Sequence, residues 1–124
     1  MGMFTLCVKD QFAAAHRLDA YHGKCEELHG HNFAVEAYFS GTELNHEGMI
    51  MDFAILKDYL KRVMNLLDHK YLNEIPFFKE RASSSEFIAM FIYHQLKDLI
   101  KGKAVTVKEV CVWESDKAGV TYGE

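Results

Sequence analysis

The chain has 124 residues, of which 49% are hydrophobic and 13% aromatic, enough for one domain with a real core. Its formal net charge is −4 with Lys and Arg scattered, so there is no electrostatic footprint for nucleic acid or anionic lipid, and a small-molecule partner is expected. No apolar stretch approaches the ~20 residues of a membrane span, and the opening MGMFTLCVKDQFAAAHR carries acid and base inside its apolar run, which argues against a signal peptide and for a soluble cytoplasmic protein.

From Phe4 the even positions Phe4, Leu6, Val8, Phe12, Ala14 and His16 share one side, which predicts a long strand ending with His16 on its apolar face. LDAYHGKCEEL follows as a loop. A second strand is predicted from His29 to Phe39, with Phe33, Val35, Ala37 and Phe39 on one side. By the same period His29 and His31 fall on that apolar side. After the turn SGTELNHEG, Asp52 is an N-cap candidate, and Phe53, Leu56, Leu60, Val63 and Leu67 repeat at helical spacing, so a helix is predicted over Phe53–Leu66.

YLNEIPFFKERA holds the one proline and no clean period, and reads as a connecting loop. Ser83 with Glu86 forms a capping box for a second helix, whose apolar face runs from Phe87 and Ile88 to Leu99 and Ile100 and which Gly102 stops. The closing KAVTVKEVCVWESDKAGVTYGE reads as two strands around a turn at 116–119. The three cysteines include no CxxC pair, which argues against a disulfide framework. Cys7 and Cys111, in alternating apolar segments, read as buried small hydrophobes.

Strand, strand, helix, helix, strand, strand defines a single α+β domain over residues 1–124, an antiparallel sheet with two helices on one face. Its other face and its edges would be left open, and closing them by association into a ring or barrel is the natural remedy.

The stretch CEELHGHN, residues 25–32, carries the densest chemistry. His29 and His31, two apart on a strand, project to one face with about 6.5–7 Å between their backbones. Their imidazoles can converge on one ion at ~2.0–2.1 Å. A lone pair of this kind is a weak signal. His16 strengthens it, because it ends the neighbouring strand on the inward face, where a polar group needs a partner. Three histidines around zinc leave a fourth position for water or substrate. Cys25 is either an inert loop thiol or a group beside that metal, where a cation would favour the thiolate. Asp68 and His69 end the first helix, as a surface pair or as a carboxylate setting an imidazole's tautomer. Glu114 follows Trp113, either as an exposed strand-end acid or as an acceptor for the amidine-like edge of a heterocycle. His22, His46 and His94 read as solvated and stay outside the site. The residues alone support a metal site near an acid/base pair and identify no substrate.

Taken together, His16, CEELHGH (25–31), GMIMDF (48–53), LDHKYLN (67–73), SSE (84–86) and WES (113–115) resemble the 6-pyruvoyltetrahydropterin synthase family. The resemblance covers nearly the whole chain and points within the family to the bacterial branch of 6-carboxytetrahydropterin synthases, of queuosine and deazapurine biosynthesis. It implies the tunnelling fold, a four-stranded antiparallel sheet with two helices on one face, assembled as a homohexamer of two trimers whose sheets form a barrel and whose sites lie between subunits. It further implies that His16, His29 and His31 bind zinc, that Cys25 is the catalytic thiolate, that Asp68 and His69 are the acid/base pair, and that Glu114, with Ser84 and Ser85, binds the pterin.

The implied reaction converts 7,8-dihydroneopterin triphosphate to 6-carboxy-5,6,7,8-tetrahydropterin, acetaldehyde and triphosphate. The three-residue gap between Cys25 and His29 and the compact length resemble the bacterial branch, whereas ESDKAG (114–119) departs from its usual ETPTS-like run. The other readings are a pyruvoyl-forming synthase, a folate-precursor activity using Glu26 or Glu27, and a non-catalytic zinc- or pterin-binding module.

Overall fold

The structure, a computed structural model, describes residues 2–18 and 29–124, His29 through its backbone alone. Strand β1 (Phe4–His16) pairs antiparallel with β2 (His29–Gly41), β2 with β3 (Thr106–Ser115), and β3 with β4 (Ala118–Tyr122), so sheet order is chain order. Between β2 and β3 lie helix α1 (Phe53–Leu67), a 3-10 turn (Leu72–Glu74), the one-turn helix α2 (Pro76–Lys79) and helix α3 (Ser85–Leu99). The period of two therefore set both long strands at the expected starts, and α1 runs one residue past its expected end.

The core lies between the sheet and the helices. Phe12, Phe33, Val35, Ala37 and Phe39 meet Leu56, Leu60, Val63 and Leu67 of α1 and Ile88, Ile92 and Leu96 of α3, each at most 2% exposed. Burying a side chain of this size contributes about 1.5–3 kcal/mol, and the alternation in β1 and β2 ensures that all of it falls on one face. At the start of β1 this reading overreaches. Phe4 keeps the inward parity but is exposed, and burial is complete only from Val8. Cys111 is buried as expected, while Cys7 is only half-buried, because its odd position in β1 puts it opposite the core residues.

Asp52 caps α1 as expected, its Oδ1 accepting from Ala54 N at 2.8 Å. The cap of α3 is corrected by one residue. Ser84 accepts from Phe87 N, so Glu86 is one position too early for a capping box, and Ser83 is instead fully buried in hydrogen bonds. The segment expected to be a plain loop contains the 3-10 turn and α2, with Pro76 in the first turn of α2, where its missing N–H costs nothing. Single turns are too short to show a period. Gly102, at φ +80°, ends the second long helix as expected. The β3–β4 turn is tighter than expected, since β4 resumes at Ala118. Among the described residues no helix is long and apolar enough to cross a membrane.

Candidate active site

The site forms at the end of the sheet where β1 stops and β2 begins. The β1–β2 register sets His16 opposite His29 and Ala14 opposite His31, so the three histidines occupy neighbouring positions of one ladder. His16 is 1% exposed. Its Nδ1 lies 2.7 Å from the carbonyl oxygen of Ser83; since a carbonyl only accepts, Nδ1 carries the proton and the lone pair is on Nε2. The rings of His16 and His31 meet edge to face with centroids 5.2 Å apart, and both pack against Phe33.

Glu114 completes the group from β3. Trp113 pairs with Gly119, but Ser115, not Glu114, pairs with Ala118, so Glu114 is the extra residue of a bulge, a device that re-aims a side chain. Its Oε1 lies 3.1 Å from Nε2 of His31, and its Oε2 accepts from Ser85 Oγ at 3.4 Å. One donor atom each from His16, His31 and Glu114 lies within 4.8 Å of the others. A small ring shift would close such a set around one ion at ~2.0–2.1 Å. Two imidazoles, one with its tautomer held by a carbonyl, are a donor set that suits zinc. Among the described residues this is the one cluster of three metal-ligating groups.

The expected acid/base pair sits at the far edge of β1. Asp68 ends α1, and its Oδ1 accepts from Ala13 N at 2.9 Å while Oδ2 lies 3.0 Å from His69 Nδ1. Adjacent side chains face each other here because His69 adopts φ +59°, and the turn is held by His69 N donating to Ala13 O and Ala15 N to Lys70 O. The Ala13 N–H holds the Asp68 carboxyl below the usual carboxylate range against the opposing effect of burial, with His69 and Lys61 adding to the lowering. His69 points to solvent, 82% exposed.

Two concavities frame these groups. One of about 530 Å³ has His31, Asn32, His69 and Tyr71 on its walls. A smaller cleft of about 190 Å³ is bordered by His16, Ser84, Ser85, Glu114 and Gly119. Ser84 Oγ is engaged as the α3 cap, while Ser85 Oγ turns to Glu114. Cys25 and the His29 side chain lie outside the described residues. Reading by residue type does not find the Ser83 carbonyl, a backbone group without a residue signature.

A profile described as 6-pyruvoyl tetrahydropterin synthase matches residues 5–124, and the chain belongs to that family. Among its relatives, a Synechocystis 6-carboxy-5,6,7,8-tetrahydropterin synthase is 37% identical over 116 residues, covering 88% of each chain. A Dictyostelium discoideum 6-pyruvoyl tetrahydrobiopterin synthase is 32% identical over 126 residues, 92% of this chain and 91% of that one. The solved 6-pyruvoyl tetrahydropterin synthase of Caenorhabditis elegans superposes with a TM-score of 0.89 at 30% identity, covering 100% of this chain and 97% of that one.

Proposed function

We propose that the chain is a zinc-dependent 6-carboxytetrahydropterin synthase, converting 7,8-dihydroneopterin triphosphate to 6-carboxy-5,6,7,8-tetrahydropterin, acetaldehyde and triphosphate. The convergence of His16, His31 and Glu114, with Ser85 on the carboxylate, is the observation that carries the reading. The 37% identity to a carboxytetrahydropterin synthase supports this branch, as does the short spacing from Cys25 to His29.

In this reading His16, His29 and His31 hold the zinc, which when bound polarises the hydroxyls of the substrate side chain. Glu114 accepts from the amidine-like edge of the pterin and fixes the ring in the cleft beside Ser84 and Ser85. The Cys25 thiolate removes a proton from the side-chain carbon next to a hydroxyl. Asp68 orients His69, which returns protons to the developing ketone or to the ring. Triphosphate leaves by elimination, and hydrolytic cleavage of the carbon–carbon bond next to the ring-bound carbon releases acetaldehyde, one water supplying the second oxygen of the new carboxyl group. Homohexamer formation as two trimers, with sites completed between subunits, and a cytoplasmic location are part of the same proposal.

Replacing Cys25 with Ala tests the catalytic reading against a pure binding module. Turnover should fall by about 10²–10⁴-fold, the usual contribution of a positioned base, while zinc content and pterin affinity persist. A variant that turns over like the parent would remove Cys25 from the mechanism.

A further inference from the structure

We infer that Asn73 and Ser83 form a clamp that positions His16 as a metal ligand. This rests on the zinc reading above. The side-chain amide of Asn73 serves both peptide groups of the residue after His16: Arg17 N donates to Oδ1 at 2.9 Å, and Nδ2 donates to Arg17 O at 2.8 Å. The chemistry of the backbone dictates this orientation of the amide, since one group can only donate and the other only accept. Ser83 Oγ lies 3.1 Å from Arg17 O and 3.0 Å from Asn73 Oδ1, so its single proton can serve either. The same residue's carbonyl takes the His16 Nδ1 proton at 2.7 Å.

Both Ser83 and His16 are buried, at 0% and 1% exposed, so these bonds meet little competition from water. The clamp also joins three separate segments. Asn73 lies in the 3-10 turn that follows the Asp68–His69 pair, Ser83 precedes the α3 cap, and Arg17 is the first residue beyond β1. It therefore acts where the chain leaves the sheet, one residue beyond His16. Holding Nδ1–H on a carbonyl commits the lone pair to Nε2 and fixes the ring plane, the two properties that outer partners impose on a ligating histidine. Asn73 is thus a positioning residue rather than a catalytic one.

The test is cobalt and zinc affinity, measured by chelator competition on the full chain and on Asn73→Ala, Asn73→Asp and Ser83→Ala. Each variant's fold is checked by circular dichroism and size. Asn73→Ala should weaken both ions about 10–100-fold and alter the visible spectrum of bound cobalt. Asn73→Asp, which keeps the acceptor but not the donor, should fall between it and the parent. Ser83→Ala removes one hydroxyl and keeps the carbonyl, so it serves as the mildest change if a position 73 variant does not fold. A purely structural role would lower the melting temperature of the metal-free protein and leave affinity within about twofold; that result in the folded variants overturns the clamp. Nitrogen NMR of the metal-free parent provides a check without mutation, since a His16 ring protonated on Nε2 and bare on Nδ1 overturns it as well. A parent that binds neither ion overturns the metal reading and the clamp together, whereas equal binding with and without the clamp overturns the clamp alone.

Discussion

Nε2 of His31 and Oε1 of Glu114 lie 3.1 Å apart, joining β2 to the bulge in β3. A ring nitrogen that donates to a carboxylate has no lone pair for a metal, so this contact and a bound ion exclude each other at that atom. Ion binding there leaves Glu114 with Ser85 and free to accept from a heterocycle. If Glu114 is the pterin anchor, Glu114→Gln should raise KM about 10–150-fold, the equivalent of the ~1.5–3 kcal/mol of a charged hydrogen bond, and leave zinc affinity within about threefold. A large loss of zinc affinity in this variant would make Glu114 a ligand instead.

Asp68 carries a prediction in both activity and acid stability. Because the Ala13 N–H, then His69 and Lys61, hold its carboxyl below the ordinary value, the carboxylate stabilises the folded state fully above the unfolded pKa of about 3.9. That contribution is lost as pH falls through the lowered folded value. Denaturant titrations from neutral pH downward should show the parent losing more stability in this range than Asp68→Asn, and parallel curves would remove Asp68 from the acid response. At neutral pH the same variant should lose about 10²-fold in turnover, since His69 is no longer oriented by a charge.

Gly119 connects the scaffold to the site. A Cβ there would lie 2.6 Å from Cε3 and 2.7 Å from Cδ2 of Trp113, and the indole is tethered by Nε1 donating to Glu36 Oε1 at 3.3 Å. Gly119→Ala should cost about 1–3 kcal/mol in urea unfolding, the usual penalty of overpacking. It should also weaken pterin binding, because Trp113 precedes the bulged Glu114. Parental stability would mean that the indole moves aside freely.

Much of this architecture is legible because it depends on periodicity. β1 ends at His16 and α1 opens after Asp52, as the alternation and the cap residue imply. The cap of α3 is not legible in this way, because Ser83, Ser84 and Ser85 are chemically alike and the glutamate three residues after Ser83 favours the wrong one. The residue types that meet at His16, His31 and Glu114 are readable, but their geometry is not. The facing of Asp68 and His69 depends on one positive φ, the aim of Glu114 on a bulge, and the tautomer of His16 on a carbonyl 67 residues away. These are backbone events that side-chain identity does not encode locally.

Product analysis of the zinc-loaded protein incubated with 7,8-dihydroneopterin triphosphate tests the central claim most directly, using mass spectrometry with acetaldehyde trapped as a hydrazone. Carboxytetrahydropterin with an equal amount of acetaldehyde is the predicted result. A pyruvoyl product without acetaldehyde, or unchanged substrate on a protein that holds zinc, would contradict it.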